Sequence, residues 1–312
     1  MARIHFALEG LEYWHRLEWE AMLARLDSQS DAALCDAAGT ADIIIDPLDR
    51  EREPGAFSRM RAPDPRRIVW HSQDHPRGFA KGLYCSLPQS SFDPRAHRTF
   101  AYPITYNELI DLFPASDCTH DWLFFGGITA KVRERIVSVL SPVADATGGR
   151  IVVQGAPWDR MFDRSGVEPK QQYADAMRAA RFIVCPRGNG AGSIRLFETL
   201  KAGRVPIIVA DSYVVPDGLE AARCMLRCRE SEVAQIPALV AAHRDRWAEM
   251  AAKARAFWED TYSDSALLRT IVGLSQGLEP PSPVGQLARA TLTNGVSDAK
   301  VLVGRSLARL RR

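Results

Sequence analysis

The sequence has no long uninterrupted apolar stretch at its start. Residues 1–20, MARIHFALEGLEYWHRLEWE, carry Glu9, Glu12 and Arg16, so they hold neither the apolar core of a signal peptide nor a span of about 20 apolar residues. Cysteine is sparse: six residues, at 35, 85, 118, 185, 224 and 228, are scattered through 312 positions. That is not the spacing of a disulfide scaffold, and it fits a reducing compartment. Cys224 and Cys228 form Cys-x-x-x-Cys, but no second Cys or His pair follows at ligand spacing, so they read as plain thiols rather than half of a zinc site. Charge of one sign is not in excess either. A net charge of +2 is too small for nucleic acid to be the main partner, so any electrostatic argument has to be local. No internal repeat or low-complexity tract is present. With 46% hydrophobic and 25% charged residues, the chain reads as an ordinary soluble globular protein, expected in the cytoplasm.

Short apolar runs alternate with helix-period stretches, the pattern of parallel sheets covered by helices. The expected strands of the first series are 3–8, 42–46 and 67–72, with a helix over 12–26 and a looser Pro-, Ser- and Arg-rich region over 73–103. A second series begins at DWLFFGG (121–127) and continues with a helix near 129–143 and a strand at 150–155. It goes on with a helix near 168–179, the strand RFIVCP (181–186), a helix over 193–202 and the strand VPIIV (205–209). The fold class is therefore α/β with two Rossmann-like units in succession, and the length suits two domains. The division falls at PASDCTH, giving units of 1–116 and 117–278, the second ending in helices, and a basic tail of 279–312. That tail can lie on an anionic membrane surface, or be a solvated or docked terminal helix.

The densest chemistry lies in CPRGNGAGSIRLFETLKAGRVPIIV, residues 185–209. Gly188, Gly190 and Gly192 are not the dinucleotide fingerprint, because the third glycine comes one position early and the motif sits in the second series. This argues against a nicotinamide-dependent oxidoreductase. No Lys-Ser/Thr pair follows, so it is not a Walker loop. What remains is a strand, a glycine-rich turn and a helix that starts near Ser193, a natural N-cap. Ile194, Phe197 and Leu200 give that helix an apolar stripe. Arg195 then falls in the first turn, where unpaired amides and the macrodipole disfavour a cation, and Arg187 adds a second one at the preceding strand end. Either each arginine pairs with a surface carboxylate, or an anion such as a diphosphate fills the space the glycines leave open. Glu198 lies one turn deeper on the same face. It can pair with Arg195 or accept from the hydroxyls of a ribose.

The segment RFIVCPRGNGAGSIRLFETLKAGRVPIIVADSYVVPDG resembles the donor-binding core of the exostosin glycosyltransferases, with Cys-Pro-Arg-Gly, then Ser-x-Arg-x-x-Glu, then Val-Pro. The likeness is dense over 173–218, including Tyr173, and extends to LFFGGITAKVRERI (123–136), similar to the family's Phe-Phe-x-Gly and Val-Arg helix. The resemblance implies the GT-B architecture, two Rossmann-like domains facing across a cleft, and inverting transfer to a glycan or lipid-linked glycan acceptor. Carried over by position, Arg187 and Arg195, with the turn of Gly188, Gly190 and Gly192, face the diphosphate of a nucleoside-diphosphate sugar. Ser193 offers its hydroxyl and the helix start, and Glu198 holds the ribose. Pro206 and Asp211 also occupy motif positions. The first unit is short for the family, and the membrane anchor of eukaryotic exostosins is not seen. A compact bacterial-type member at the cytoplasmic side fits both.

No two aspartates are separated by a single residue, so the Asp-x-Asp of metal-dependent donor sites is missing. Fixed positive charge then has to meet the leaving diphosphate, and neither metal nor cofactor is expected. The general base should come from the first unit. VWHSQDHPRG (69–78) follows an apolar strand and supplies Asp74, His71 and His75, and it loosely resembles a His-Asp segment of plant exostosin-like enzymes. Asp74 can equally cap a turn beside Pro76, and a histidine at a strand end is often a hydrogen-bonded core residue. Glu9 and Asp46, both at strand ends, are the next candidates. A non-catalytic glycan- or nucleotide-sugar-binding protein that keeps the fold is the competing reading.

Overall fold

The computed structural model describes residues 1–9, 11, 13–26, 32–48, 64–74, 76, 78–103, 107–155 and 167–281. Two parallel sheets organise them. The first contains β1 (Ala2–Phe6), β2 (Ala32–Leu34), β3 (Ile43–Leu48), β4 (Arg67–His71), β5 (Gly82–Tyr84) and β6 (His97–Thr99), in the order β2-β1-β3-β4-β5-β6. The second contains β7 (His120–Gly126), β8 (Gly149–Val153), β9 (Ala180–Pro186), β10 (Val205–Val209) and β11 (Leu226–Arg227), in the order β11-β10-β9-β7-β8. In each sheet the chain steps first to one side and then to the other. The strand order thus reverses beside β1 in the first sheet and beside β7 in the second.

The helices are α1 (Tyr13–Leu23), α2 (Lys131–Leu140), α3 (Val167–Arg178), α4 (Ile194–Lys201), α5 (Ile236–His243), α6 (Trp247–Thr261) and α7 (Leu267–Ser275). The continuous apolar runs of the second series form strands buried on both faces. Alternation sends Trp122 and Phe124 of β7 into one core with Val132, Ile136 and Leu140 of α2. Leu123 and Phe125 go to the other face, against Tyr173, Ala174 and Met177 of α3. A third core joins the halves: Ile4, Trp70 and Phe100 pack with Leu196 and Phe197 of α4 and with Leu268 and Ile271 of α7. The last helix also packs on β2 at the far edge of the first sheet.

Several elements differ from expectation. The region expected to be loose, 73–103, contains β5 and β6, which complete the first sheet. β2 and β11 were also not anticipated. At two or three residues each, these strands are too short to show a period. α4 is not a one-sided helix: Arg195 through Leu200 are all buried, because the helix lies between the second sheet and the first half of the chain. The basic tail lies almost wholly in 282–312, outside the described residues. Among the described residues, no helix is long and apolar enough to cross a membrane.

Candidate functional site

In open parallel sheets a ligand sits beyond the C-terminal strand ends, where the strand order reverses. In the second sheet that point lies between β7 and β9. β7 ends in Gly126 and leads into Gly127, β9 runs out through Pro186 to Arg187 and Gly188, and α2 and α4 both start beside it. The sequence therefore delivers two helix N-termini and three arginines, at 133, 187 and 195, to one edge.

Arg195 is 6% exposed. Its Nε and Nη1 have no hydrogen-bond partner, and its Cζ stands 5.7 Å from the centroid of the Phe124 ring. Leaving a buried donor unpaired costs about 1–3 kcal/mol, and the first turn of a helix adds to the strain on a cation. Gly126 makes the arrangement possible: a Cβ there would fall 2.4 Å from Arg195 Nη2. Among the described residues no carboxylate pairs with Arg195. Ser193 has the extended backbone of an N-cap, φ −146° and ψ 127°, but its hydroxyl makes no cap hydrogen bond. The expected N-cap contact is thus absent, and the half-buried hydroxyl remains at the edge.

Arg187 is arranged differently. Its Nε donates to Glu230 Oε1 at 2.8 Å, and Glu230 is held in turn by Asp211, whose Oδ1 accepts from the Glu230 amide at 3.0 Å. Of the two arrangements open from sequence, the carboxylate pair describes Arg187 and not Arg195. Glu198 is 4% exposed and does not pair with Arg195. Its Oε2 accepts from the Tyr173 hydroxyl at 2.7 Å and its Oε1 from the Asn107 amide at 3.4 Å. Burial pushes its carboxyl above the usual range, against the pull of those donors and of the Arg195 charge.

Sequence reasoning gave Arg133 no role of its own, although it lies in the Val-Arg helix of the resemblance. It is buried at 6% exposure. Its Nε donates to Arg187 O at 2.9 Å, Nη1 to Gly127 O at 3.2 Å and Nη2 to Pro186 O at 3.4 Å, so it straps β7 to β9. Burial, and then the Arg195 charge, push its guanidinium down to about 9.

Of the three glycines, Gly188 leaves room for Arg133, whose Nη2 would stand 3.3 Å from a Cβ there. The space beside the other two is filled by the first half of the chain. A Cβ at Gly190 would meet Asp74 O at 2.2 Å and Ser86 Oγ at 2.3 Å, and one at Gly192 would meet Cys85 O at 2.5 Å. The Gly192 amide donates to Ser86 Oγ at 2.9 Å, and the Gln89 amide donates to Ser212 O at 2.7 Å. These glycines let the two halves meet backbone to backbone, where the sequence suggested open space for a ligand.

That contact brings the loop after β4 to the same edge. Asp74 is exposed there. His71 is 1% exposed; its ring stacks on Tyr84 at 5.5 Å, and its Nδ1 accepts from the Gln73 amide at 3.2 Å. It therefore carries the loop from within the core. His75 lies outside the described residues. Asp46 is buried and paired with Arg67.

Residues 122–242 match the exostosin GT47 domain. Over 90 residues the chain is 33% identical to exostosin-2 from Bos taurus, which covers 28% of this chain and 12% of that protein. Over 56 residues it is 43% identical to the probable glucuronosyltransferase GUT1 from Oryza sativa subsp. japonica, covering 18% and 13%. The chain thus spans about an eighth of the length of these relatives. The crystal structure of a glycosyltransferase from Rickettsia africae ESF-5 superposes on 90% of this chain and 99% of its own at 8% identity, with a TM-score of 0.45. The two parallel α/β sheets are a pair of Rossmann-like domains. The second of them, with its arginine-lined edge, contains the segment 122–242 that matches the exostosin GT47 domain, the family that the Cys-Pro-Arg-Gly segment resembles.

Proposed function

We propose that this chain is an inverting, metal-independent glycosyltransferase that moves a sugar from a nucleoside diphosphate to a hydroxyl of a glycan or lipid-linked glycan. The work belongs to polysaccharide biosynthesis on the cytoplasmic side. One observation carries this reading: Arg195 is buried in the first turn of α4, at the strand-order reversal of an exostosin domain, with Nε and Nη1 lacking acceptors. Residues 117–278 hold the donor. Arg195, the Ser193 hydroxyl and the first amides of α4 receive the diphosphate, and Glu198, one turn deeper, faces the ribose.

Residues 1–116 face the acceptor. Asp74 is the base, because it is exposed on the loop whose backbone abuts Gly190. His71 is a positioning residue that fixes this loop through Gln73. The acceptor oxygen attacks the anomeric carbon on the face opposite the diphosphate, and its proton passes to the Asp74 carboxylate. The bond to the diphosphate oxygen breaks with its electron pair. The departing charge is met by guanidinium and helix amides that are already in place, so little reorganisation is needed.

The test is transfer from a panel of uridine- and guanosine-diphosphate sugars, assayed in EDTA after metal stripping. Activity is expected to persist, and Asp74→Asn is expected to lower turnover by about 100-fold or more with donor affinity nearly intact. Activity restored only by manganese or magnesium would overturn the arginine account. Normal turnover in Asp74→Asn would move the base elsewhere.

A further inference from the structure

We infer that Arg133, rather than Arg187, is the second cation of the diphosphate site, paired with Arg195 across the ends of β7 and β9. The inference rests on the donor reading above and names a residue which that reading does not use. Both guanidiniums reach one point, the place where a Cβ on Gly126 would stand: Arg195 Nη2 lies 2.4 Å from it and Arg133 Nη1 3.8 Å. Two like charges held this close, each 6% exposed, repel one another in a low dielectric unless an anion lies against both.

The surroundings supply hydrogen bonds to Arg133 but, among the described residues, no carboxylate paired with it; the Asp74 charge acts on it without a hydrogen bond. Its three acceptors are the main-chain carbonyls of Arg187, Gly127 and Pro186. These orient the guanidinium without neutralising it. Arg187, in contrast, already has a carboxylate in Glu230. Glycine leaves each guanidinium head free of a crowding side chain, Gly126 beside Arg195 and Gly188 beside Arg133. The two helices that start here, α2 and α4, have N-caps, Ala130 and Ser193, whose side chains make no cap hydrogen bond. Two arginines and two uncapped helix starts thus converge from either side of one cleft between strands. A single phosphate would satisfy one arginine. A diphosphate has a phosphoryl group for each.

Calorimetric titration of the full chain with inorganic pyrophosphate and with UDP tests this. Arg133→Gln is expected to weaken pyrophosphate binding by about 10-fold or more, in line with a charge-assisted contact, while Arg187→Gln changes it by less than about twofold. Gly188→Ala is the second variant, for the case in which Arg133→Gln fails to fold. It leaves the three carbonyl contacts of Arg133 in place, puts a methyl against its Nη2, and should weaken pyrophosphate binding severalfold with an unchanged melting temperature. Unchanged affinity in a folded Arg133→Gln or Gly188→Ala protein overturns the inference, as does an equal loss in Arg187→Gln. If pyrophosphate and UDP bind through Arg133 but no nucleotide sugar is hydrolysed or transferred, the anion site stands and the glycosyl-transfer reading falls. If the wild type binds neither, both fall together.

Discussion

At the N-terminal edge of the second sheet, the buried Arg204 donates from Nη1 to Phe113 O at 3.0 Å, and from Nη2 to Pro114 O at 3.0 Å and Arg178 O at 2.8 Å. At the C-terminal edge, the buried Arg195 leaves Nε and Nη1 without acceptors. The two side chains are almost equally buried, at 1% and 6% exposure. They differ in what the chain has placed around them. Around Arg204 the carbonyls of Phe113, Gly203, Pro114 and Arg178 stand in for water at both terminal nitrogens, leaving only Nε without an acceptor, and the guanidinium ties together the chain segments that enter the sheet. Around Arg195 no acceptor meets Nε or Nη1, the glycine at 126 makes room for the guanidinium, and a second guanidinium stands nearby. A buried cation whose terminal nitrogens the fold has solvated serves the fold, whereas Arg195, with a terminal nitrogen and Nε both unmet, fits the anion site proposed above.

The largest effect separating the two edges is expected from Arg204→Ala. Removing that guanidinium strands the carbonyls of Phe113, Pro114 and Arg178, and unmet buried acceptors cost about 1–3 kcal/mol each before relaxation. Urea denaturation should show a loss of about 2–4 kcal/mol, with pyrophosphate affinity of the folded protein unchanged. Lost affinity at unchanged stability would break the comparison.

A smaller effect is expected from Glu198→Gln. Burial raises the Glu198 carboxyl above its ordinary value of 4.5. A carboxyl whose folded value is raised holds its proton more tightly in the folded chain. Its contribution to stability is therefore full below pH 4.5 and is lost as pH rises through the folded value. Glutamine keeps an acceptor for Tyr173 and carries no charge. The variant should melt higher than the wild type near neutral pH, and the gain should vanish below about pH 4.5. A lower melting temperature at neutral pH would mean that the ionised carboxylate is held by Arg195, and that the C-terminal edge is not short of negative charge.

The long strands of the second sheet were legible because runs such as DWLFFGG and RFIVCP are buried on both faces and bounded by glycine or proline. β5 and β6 were not, since three residues carry no period and their neighbours are proline, serine and arginine. At the site, the helix-dipole argument singled out Arg195 from its position in the first turn alone. That Arg187, unlike Arg195, has a carboxylate partner was hidden, because the partner is Glu230, supplied by the segment after β11. Arg133 was equally hidden. Its place in KVRERI looks like an ordinary amphipathic helix until β7 and β9 bring their carbonyls to it. The glycines misled for a related reason. A sequence shows that a close approach is needed at Gly190 and Gly192, and not that the approaching group is the backbone of Asp74 and Cys85.

The central claim is that Arg195 is held for an anion, and the most direct measurement is Arg195→Ala, with calorimetric titration of nucleoside diphosphate beside a thermal melt. The expected loss in binding is about 1.5–3 kcal/mol, the range for a charge-assisted contact. The melting temperature should be unchanged or slightly raised, since a buried unpartnered cation has been taken from a helix start. Those two effects have opposite signs, which few structural arginines would show. A clear drop in melting temperature with undiminished diphosphate affinity would contradict the account and make Arg195 a second Arg204.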